Sequence, residues 1–156
     1  MKKLTTIILL LFISFSYGQK RELRNANKFY DSGEFSSALD LLESSKVLFD
    51  SSDDKVKSQQ MLLYGKIHTS MQDFSLAMEA FNISKDLGIS SDQLGPELMR
   101  LENSIITNAI ADQDSGNSLD AAIKLKMAYD LNPERKDYLY FAAGNAVNAI
   151  NYSLAL

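Results

Sequence analysis

The sequence contains no cysteine among its 156 residues. Disulfide bridges, thiolate-bound metal sites and the acylated cysteine of a bacterial lipoprotein are therefore excluded. Its single histidine, His68, has no second histidine with which to form a metal cluster. We expect no metal and no cofactor, and we expect the fold to rest on its apolar core.

Proline and glycine are also scarce, with two and seven residues respectively. Leu, Ala, Ser, Lys and Asp outnumber the β-branched residues, which favours helix over sheet. Hydrophobic residues make up 46% of the chain and charged residues 23%, within the usual range for globular proteins. The composition predicts an all-α fold of one modest unit.

The amino-terminal segment has the pattern of a signal peptide. Basic residues Lys2 and Lys3 precede an apolar run from Leu4 to Phe15, and small residues Ser16 and Gly18 follow. An uncleaved membrane anchor is the alternative, but spanning a bilayer takes about 20 apolar residues, more than this run contains. We predict a signal peptide over 1–18, cleaved after Gly18, and no stable membrane insertion after cleavage.

Export would leave a strongly acidic chain. Of the 16 basic residues, Lys2 and Lys3 would be lost, leaving 14 against 20 acidic residues and a net charge of −6. A nucleic-acid partner would require a clustered basic face, and none is visible. We therefore expect no nucleic acid as a partner.

One short pattern recurs four times along the chain. It reads EFSSAL at 34–39, DFSLAM at 73–78, NSLDAA at 117–122 and NYSLAL at 151–156. Its second positions, Phe35, Phe74, Ser118 and Tyr152, lie 39, 44 and 34 residues apart. Each copy opens a stretch of helical periodicity, and another such stretch precedes it. The repeating unit is therefore helix, short turn, helix.

Small residues recur at fixed places on both sides of each turn. Two helices approach closely only where side chains are small, so these positions predict the crossing point of an antiparallel pair. Larger residues, four places later, would fill the space beside it. The predicted packing residues are Ala26, Ala38, Gly65, Ala77, Phe81, Ala109, Ala121, Leu125, Ala128 and Ala143.

These features resemble the tetratricopeptide repeat family. The closest stretch is GNSLDAAIKLKMAYDLNPE at 116–134. The resemblance covers residues 20–156 and implies an α-solenoid of antiparallel helix pairs, with three full repeats (about 20–50, 58–90 and 96–133) and a truncated fourth (134–156). The family unit has 34 residues, so two intervals carry 5 and 10 extra residues, which we assign to the loop-like DSSDDK and GISSDQLGP.

The fourth repeat predicts how the chain ends. NYSLAL would be the first turn of a second helix, so we expect an N-terminal fragment of a longer repeat protein, similar to secreted proteins of the Bacteroidota. The helix at 137–151 would then expose a stripe that includes Leu139, Ala143 and Ile150. Self-association through this uncapped helix is a further expectation.

The resemblance also implies a concave face lined by the first helices of the pairs. Some members hold peptide carboxyl termini there with a clamp of lysine, arginine and asparagine. Asn27 could stand for one asparagine, but Leu23, Leu63, Asn103 and Thr107 occupy the other stations. A clamp is therefore not expected. Peptide contacts on this face would instead come from Tyr30, Leu62, Lys66, Ile106, Ile110 and Tyr140.

No residue pattern predicts catalysis. His68 matches an inward helix position, and the acidic stretches beginning at Asp50 and Asp112 lack the glycine and bidentate acid of a calcium loop. Nucleophile-elbow, phosphate-loop and zinc-protease motifs are absent from the sequence. We expect no enzyme activity.

Three functions remain open from the sequence. The first is a non-enzymatic protein–protein interaction scaffold in the periplasm or at the outer membrane of a Gram-negative bacterium. The second is the extracytoplasmic sensor region of a membrane signalling protein. The third is the repeat region of an envelope enzyme or peptidoglycan-binding protein whose active domain lies elsewhere.

Overall fold

The computed structural model describes the backbone of residues 18–154 and the side chains of residues 18–150. Within these residues all regular structure is helical. Helix α1 covers 18–31, and seven helices follow it: α2 (Phe35–Ser44), α3 (Lys46–Asp50), α4 (Asp54–Met71), α5 (Phe74–Asp86), α6 (Ser91–Asp114), α7 (Ser118–Leu131) and α8 (Asp137–Leu154). The predicted signal peptide lies outside the described residues except for Gly18.

The fold class predicted from the sequence is confirmed. The chain is all-α, and neighbouring helices pack in pairs, as in a helical-repeat solenoid. It divides into two compact units, one ending at Leu94 and the other beginning at Gly95. In the first unit α4 packs against α5, α2 and α3, and in the second α7 packs against α8.

The three turns predicted by the repeat share one hydrogen-bond pattern. In each, an amide five residues along the chain donates back to a carbonyl near the helix end: Glu34 to Phe29 (2.9 Å), Asp73 to His68 (2.9 Å) and Asn117 to Asp112 (2.8 Å). This pattern requires a left-handed residue just past the helix. Gly33 and Gly116 supply it with φ of 80° and 81°, and Gln72 supplies it with φ of 66°. The three turns therefore have the same geometry, and so does the turn after α5, where the Ile89 amide donates to the Ser84 carbonyl at 3.1 Å and Gly88 has φ of 87°.

Nine of the ten predicted packing residues are buried, and the tenth, Ala143, is exposed. Gly65 shows why small residues recur at these positions. A Cβ atom added there would lie 2.3 Å from Cε1 of Phe81, so the phenyl ring occupies the space of the missing side chain. The close approach of α4 and α5 therefore depends on the glycine.

Both predicted loops exist but are shorter than expected, covering 51–53 and 87–90, because helices extend into the two insertions. Asp50 ends α3, while Asp54 and Lys55 begin α4, whose first turn is capped by the Asp53 carboxylate accepting from the Val56 amide at 2.8 Å. Within GISSDQLGP, α6 already begins at Ser91. Pro96 is exposed and lies in the second turn of α6, where it removes one helical hydrogen bond, to the Asp92 carbonyl.

The predicted turn before NYSLAL is also wrong. Helix α8 continues without interruption through Asn151 to Leu154. Two of the three turns that the repeat predicts have a glycine at the left-handed position, and residues 145–154 contain no glycine. The last two residues of the hexapeptide lie outside the described part.

Candidate functional site

The structure divides the six predicted peptide contacts between the two units. In the first unit, Tyr30 and Leu62 are each only 8% exposed. The Lys66 ammonium lies 4.6 Å from the centre of the Tyr30 ring, in cation–π geometry. Tyr30 and Leu62 therefore belong to the interior and offer little surface to a ligand.

The other three contacts lie in the second unit and are more accessible. Ile106 is half-buried, while Ile110 and Tyr140 are exposed. Tyr140, at 79% exposure, is free of surrounding protein over most of its ring. Of the predicted contacts, only Ile110 and Tyr140 could bind a partner without rearrangement.

His68 lies at the edge of a groove of about 500 Å³ formed by α2, α3, α4 and α5. The buried imidazole stacks on Tyr64, with ring centres 6.1 Å apart, and its Nδ1 is 3.4 Å from an Asp73 carboxylate oxygen. Burial, with a smaller contribution from the Glu43 charge, raises the pKa of Tyr64 to about 12. These contacts give His68 a packing role, in line with the sequence prediction.

The second unit contains an apolar groove of about 560 Å³ between α7 and α8. We call it the α7–α8 groove. Its nine lining residues are all apolar except one lysine: Leu119, Ala122, Ile123, Lys126, Met127, Leu139, Ala142, Ala143 and Ala146. The Lys126 ammonium is bound by Asp130, 2.7 Å away on the same helix. The groove therefore presents hydrocarbon rather than charge.

The exposure of this groove follows in part from the sequence. The stripe expected on α8 is partly exposed, with Leu139, Ala143 and Ile150 accessible. The α7 wall does not follow from the repeat, which predicts only the buried face of this helix, with Ala121, Leu125 and Ala128. Leu119 and Ile123 lie on another face. They are 60% and 52% exposed. Their spacing of four residues, continued by Met127, is the signal for a second apolar face.

A polar cluster fixes the start of α8 beside this groove. The Tyr138 hydroxyl donates to Glu102 of α6 at 2.9 Å, and the Asn132 side-chain amide donates to the same carboxylate at 3.3 Å. The Arg135 guanidinium lies 4.5 Å from the centre of the Tyr138 ring. Burial and the Glu102 carboxylate raise the pKa of Tyr138. The cluster anchors α8 to α6, and so holds one wall of the groove in place.

A second contact holds the other wall. The Lys124 ammonium of α7 forms a hydrogen-bonded ion pair with Asp112 of α6, and both side chains are largely shielded from solvent. Nearby, the Asn145 amide of α8 donates to the Gln113 side chain at 3.2 Å. Both helices of the groove are therefore tied by polar contacts to α6.

Other kinds of site were sought among the described residues. In residues 18–154, no group of three or more His, Asp or Glu side chains is placed to hold a metal ion. In that same range, every helix is too short or too polar to cross a membrane. Comparison with protein-family models, curated proteins and solved structures finds no match to this chain.

Proposed function

We propose that this protein is a non-enzymatic protein–protein interaction scaffold of the cell envelope. The observation that carries the proposal is the α7–α8 groove, where Leu119, Ile123 and Leu139 leave apolar surface open to water. Covering such surface is favourable by about 25 cal/mol per Å². Contiguous exposed apolar patches on soluble proteins commonly mark binding sites.

The chemistry of the groove favours a protein or peptide as the partner. It lacks the convergent polar groups that orient a small metabolite, and its one lysine is bound by Asp130. Its apolar walls offer nothing to a phosphate backbone, and the chain is acidic overall. The proposal therefore includes a protein or peptide partner in the cell envelope. It also includes a tetratricopeptide-like repeat and a signal peptide of the kind found in the Bacteroidota.

Site-specific photocrosslinking would test the scaffold. A photoreactive amino acid replaces Ile123 in the groove and, in a matched control, Val47, which is exposed and apolar but lies on α3. We expect a discrete adduct with another envelope protein from position 123 and none from position 47. Adduct formation should fall at least about tenfold with Leu139→Arg, because a charge in the groove opposes apolar contact.

Two results would contradict the proposal. Equal labelling from positions 47 and 123 would show non-specific collision. A groove adduct that survives Leu139→Arg unchanged would show that the apolar surface does not bind the partner.

A further inference from the structure

We propose that the groove beside His68 binds an organic cation, meaning an ammonium or guanidinium group on an aliphatic chain. The groove has a volume of about 500 Å³ and lies among α2, α3, α4 and α5 in the first unit. We call it the acidic groove, because Glu43, Asp50 and Glu79 are in its lining. The inference does not depend on the scaffold function, which is based on the second unit.

The charges of the acidic groove favour a positive ligand. Glu43, Asp50 and Glu79 are all exposed, so their carboxylates meet solvent at its rim. The lining contains a single ammonium group, that of Lys46. In the described part of the chain, none of these four side chains forms an ion pair. Three negative charges against one positive charge leave a net charge of −2, which attracts cations to the groove.

A buried amide on α4 opens into the same groove. Gln60 lines the groove, although only 4% of this residue is exposed. Its side-chain amide makes no hydrogen bond to any other described residue. Within residues 18–150, Oδ1 of Asn145 is the only unpaired side-chain atom that is sealed from solvent, so both polar atoms of Gln60 remain accessible. Gln60 therefore offers a carbonyl oxygen that can accept a hydrogen bond from an ammonium or guanidinium group.

Tyr64 and two aliphatic residues supply a surface for the chain of the ligand. The Tyr64 ring stacks on His68, and Leu76 and Ile83 in the lining are 49% and 40% exposed. Lysine and arginine side chains pack their methylene stems on such surfaces and keep the charged group in water. The pKa of Tyr64 is raised first by burial and then by the Glu43 charge, so the phenol and the carboxylate lie close together. The groove thus combines apolar surface with negative charge.

The positions of the carboxylates favour an extended cation over a metal ion. Glu43 lies on α2, Asp50 on α3 and Glu79 on α5. Within residues 18–154, no three His, Asp or Glu side chains are placed to bind one metal ion. An aliphatic chain with a charged end can reach a carboxylate while its stem covers Leu76 and Ile83. The volume of the groove is also in the range of small-ligand pockets.

An NMR titration tests the inference. His68 is the only histidine in the sequence, so its imidazole signals report binding in this groove without a full assignment. The probes are cadaverine, an aliphatic diamine, and arginine blocked at both ends by acetyl and methylamide groups. The control is pentanediol, which has hydroxyl groups in place of the ammonium groups of cadaverine. At constant pH, we expect saturable shifts of the His68 signals with both cations and none with the diol.

The two probes distinguish the source of the cation. Tighter binding of cadaverine than of the blocked arginine indicates a free small molecule as the ligand. The reverse order indicates a basic side chain of a protein. Either order supports the proposed chemistry of the acidic groove.

Variants of the lining residues test the role of charge. Glu43→Gln should weaken cadaverine binding about threefold, the size expected for one exposed ion pair. Asp31→Asn removes an exposed carboxylate from α1, outside the groove lining, and should leave the affinity unchanged. Both substitutions alter the net charge equally, so a difference between them is local. Lys46→Gln should strengthen binding about twofold, because it removes the competing positive charge.

Gln60→Leu tests the amide separately. It removes the hydrogen-bonding group without changing the charge, so we expect about fivefold weaker cadaverine binding with an unchanged dependence on salt. Glu43→Gln should reduce the dependence on salt as well as the affinity. Circular dichroism establishes that both variants are folded.

Three results would overturn the inference. The first is equal shifts with cadaverine and pentanediol, which would show that charge is not recognised. The second is equal weakening by Glu43→Gln and Asp31→Asn, which would show a response to net charge alone. The third is cation binding that leaves the His68 signals unchanged, which would place the site elsewhere. None of these results bears on the Ile123 crosslink, so the scaffold proposal is tested independently.

Discussion

At the scale of single residues, two properties determine the repeat: the size of the side chains between paired helices and the backbone conformation of the residues at the turns. Gln72 adopts the left-handed backbone that Gly33 and Gly116 adopt in the other two turns. The glycines could be recognised from the sequence because they are common just past helix ends. Gln72 could not, since glutamine ordinarily avoids positive φ, and only the surrounding repeat identifies its turn.

Gly65 gives the sharpest prediction at this scale. Gly65→Ala should lower the free energy of unfolding by about 1–3 kcal/mol, because the new methyl group must displace the Phe81 ring. The better helix propensity of alanine, about 1 kcal/mol, offsets only part of this. Urea denaturation followed by circular dichroism measures the change.

Two companion variants make this test specific. Gly144→Ala introduces the same methyl group into α8 where no atom lies within 4 Å of it, and should stabilise the protein by about 0.5–1 kcal/mol. Combining Gly65→Ala with Phe81→Leu should recover much of the lost stability, because alanine and leucine already pack together in the first unit, where Ala26 and Leu42 are fully buried in one cluster. A Gly65→Ala protein as stable as wild type would show that the ring moves aside at little cost.

At the scale of helices, the sequence predicts which helices form pairs better than it predicts the residues at which the helices begin and end. Periodic apolar residues and buried alanines identified the paired helices, because packing imposes that period. Ser91–Pro96 was assigned to a loop since glycine and proline normally end helices. Here the Leu94 side chain is buried, and its burial favours the helical start of α6. Tertiary burial thus overrides the local signal.

The packing of α4 against α2 should have a measurable pH dependence. Burial and, to a smaller extent, Glu43 raise the pKa of Tyr64 from 10.0 to about 12. The folded state therefore favours the protonated phenol, so this contribution is present below pH 10 and lost as the pH rises from 10 to 12. We expect a loss on the order of 1 kcal/mol across that window, allowing for partial solvent screening.

The measurement is the urea midpoint of wild-type and Tyr64→Phe proteins from pH 9 to pH 12. Other tyrosines and lysines titrate in this range, so the difference between the two proteins is the informative quantity. Glu43→Gln should keep most of the difference, because burial is the larger cause. Parallel curves for wild type and Tyr64→Phe would contradict the assignment.

At the scale of the whole molecule, the predicted cleavage site directly precedes a residue that contributes to the fold, Gln19. This residue is buried, and its side-chain amide donates to the Leu48 carbonyl at 2.9 Å and to the Ser51 hydroxyl at 3.3 Å. Cleavage after Gly18 would make it the first residue of the mature protein. The sequence predicts a cleavage site here but contains no signal that the following residue packs against α3.

We predict that intact-mass measurement of the exported protein will give a chain beginning at Gln19. Gly18→Arg should block processing, because signal peptidase requires a small residue before the cut. Lys20→Arg, two residues further and exposed, is the matched control and should be processed normally. An exported chain that retains residues 1–18 would contradict the predicted signal peptide.

The proline within α6 affects how fast the amide hydrogens of this helix exchange with solvent. Pro96 has no amide hydrogen to donate to the Asp92 carbonyl, and Gly95 beside it holds the helical backbone less firmly than alanine would. Leu101, Ile105 and Ala109 are fully buried further along the helix. The amide hydrogens of the first turns therefore exchange through small local openings, whereas those near Ile105 exchange only through much rarer and larger unfolding events.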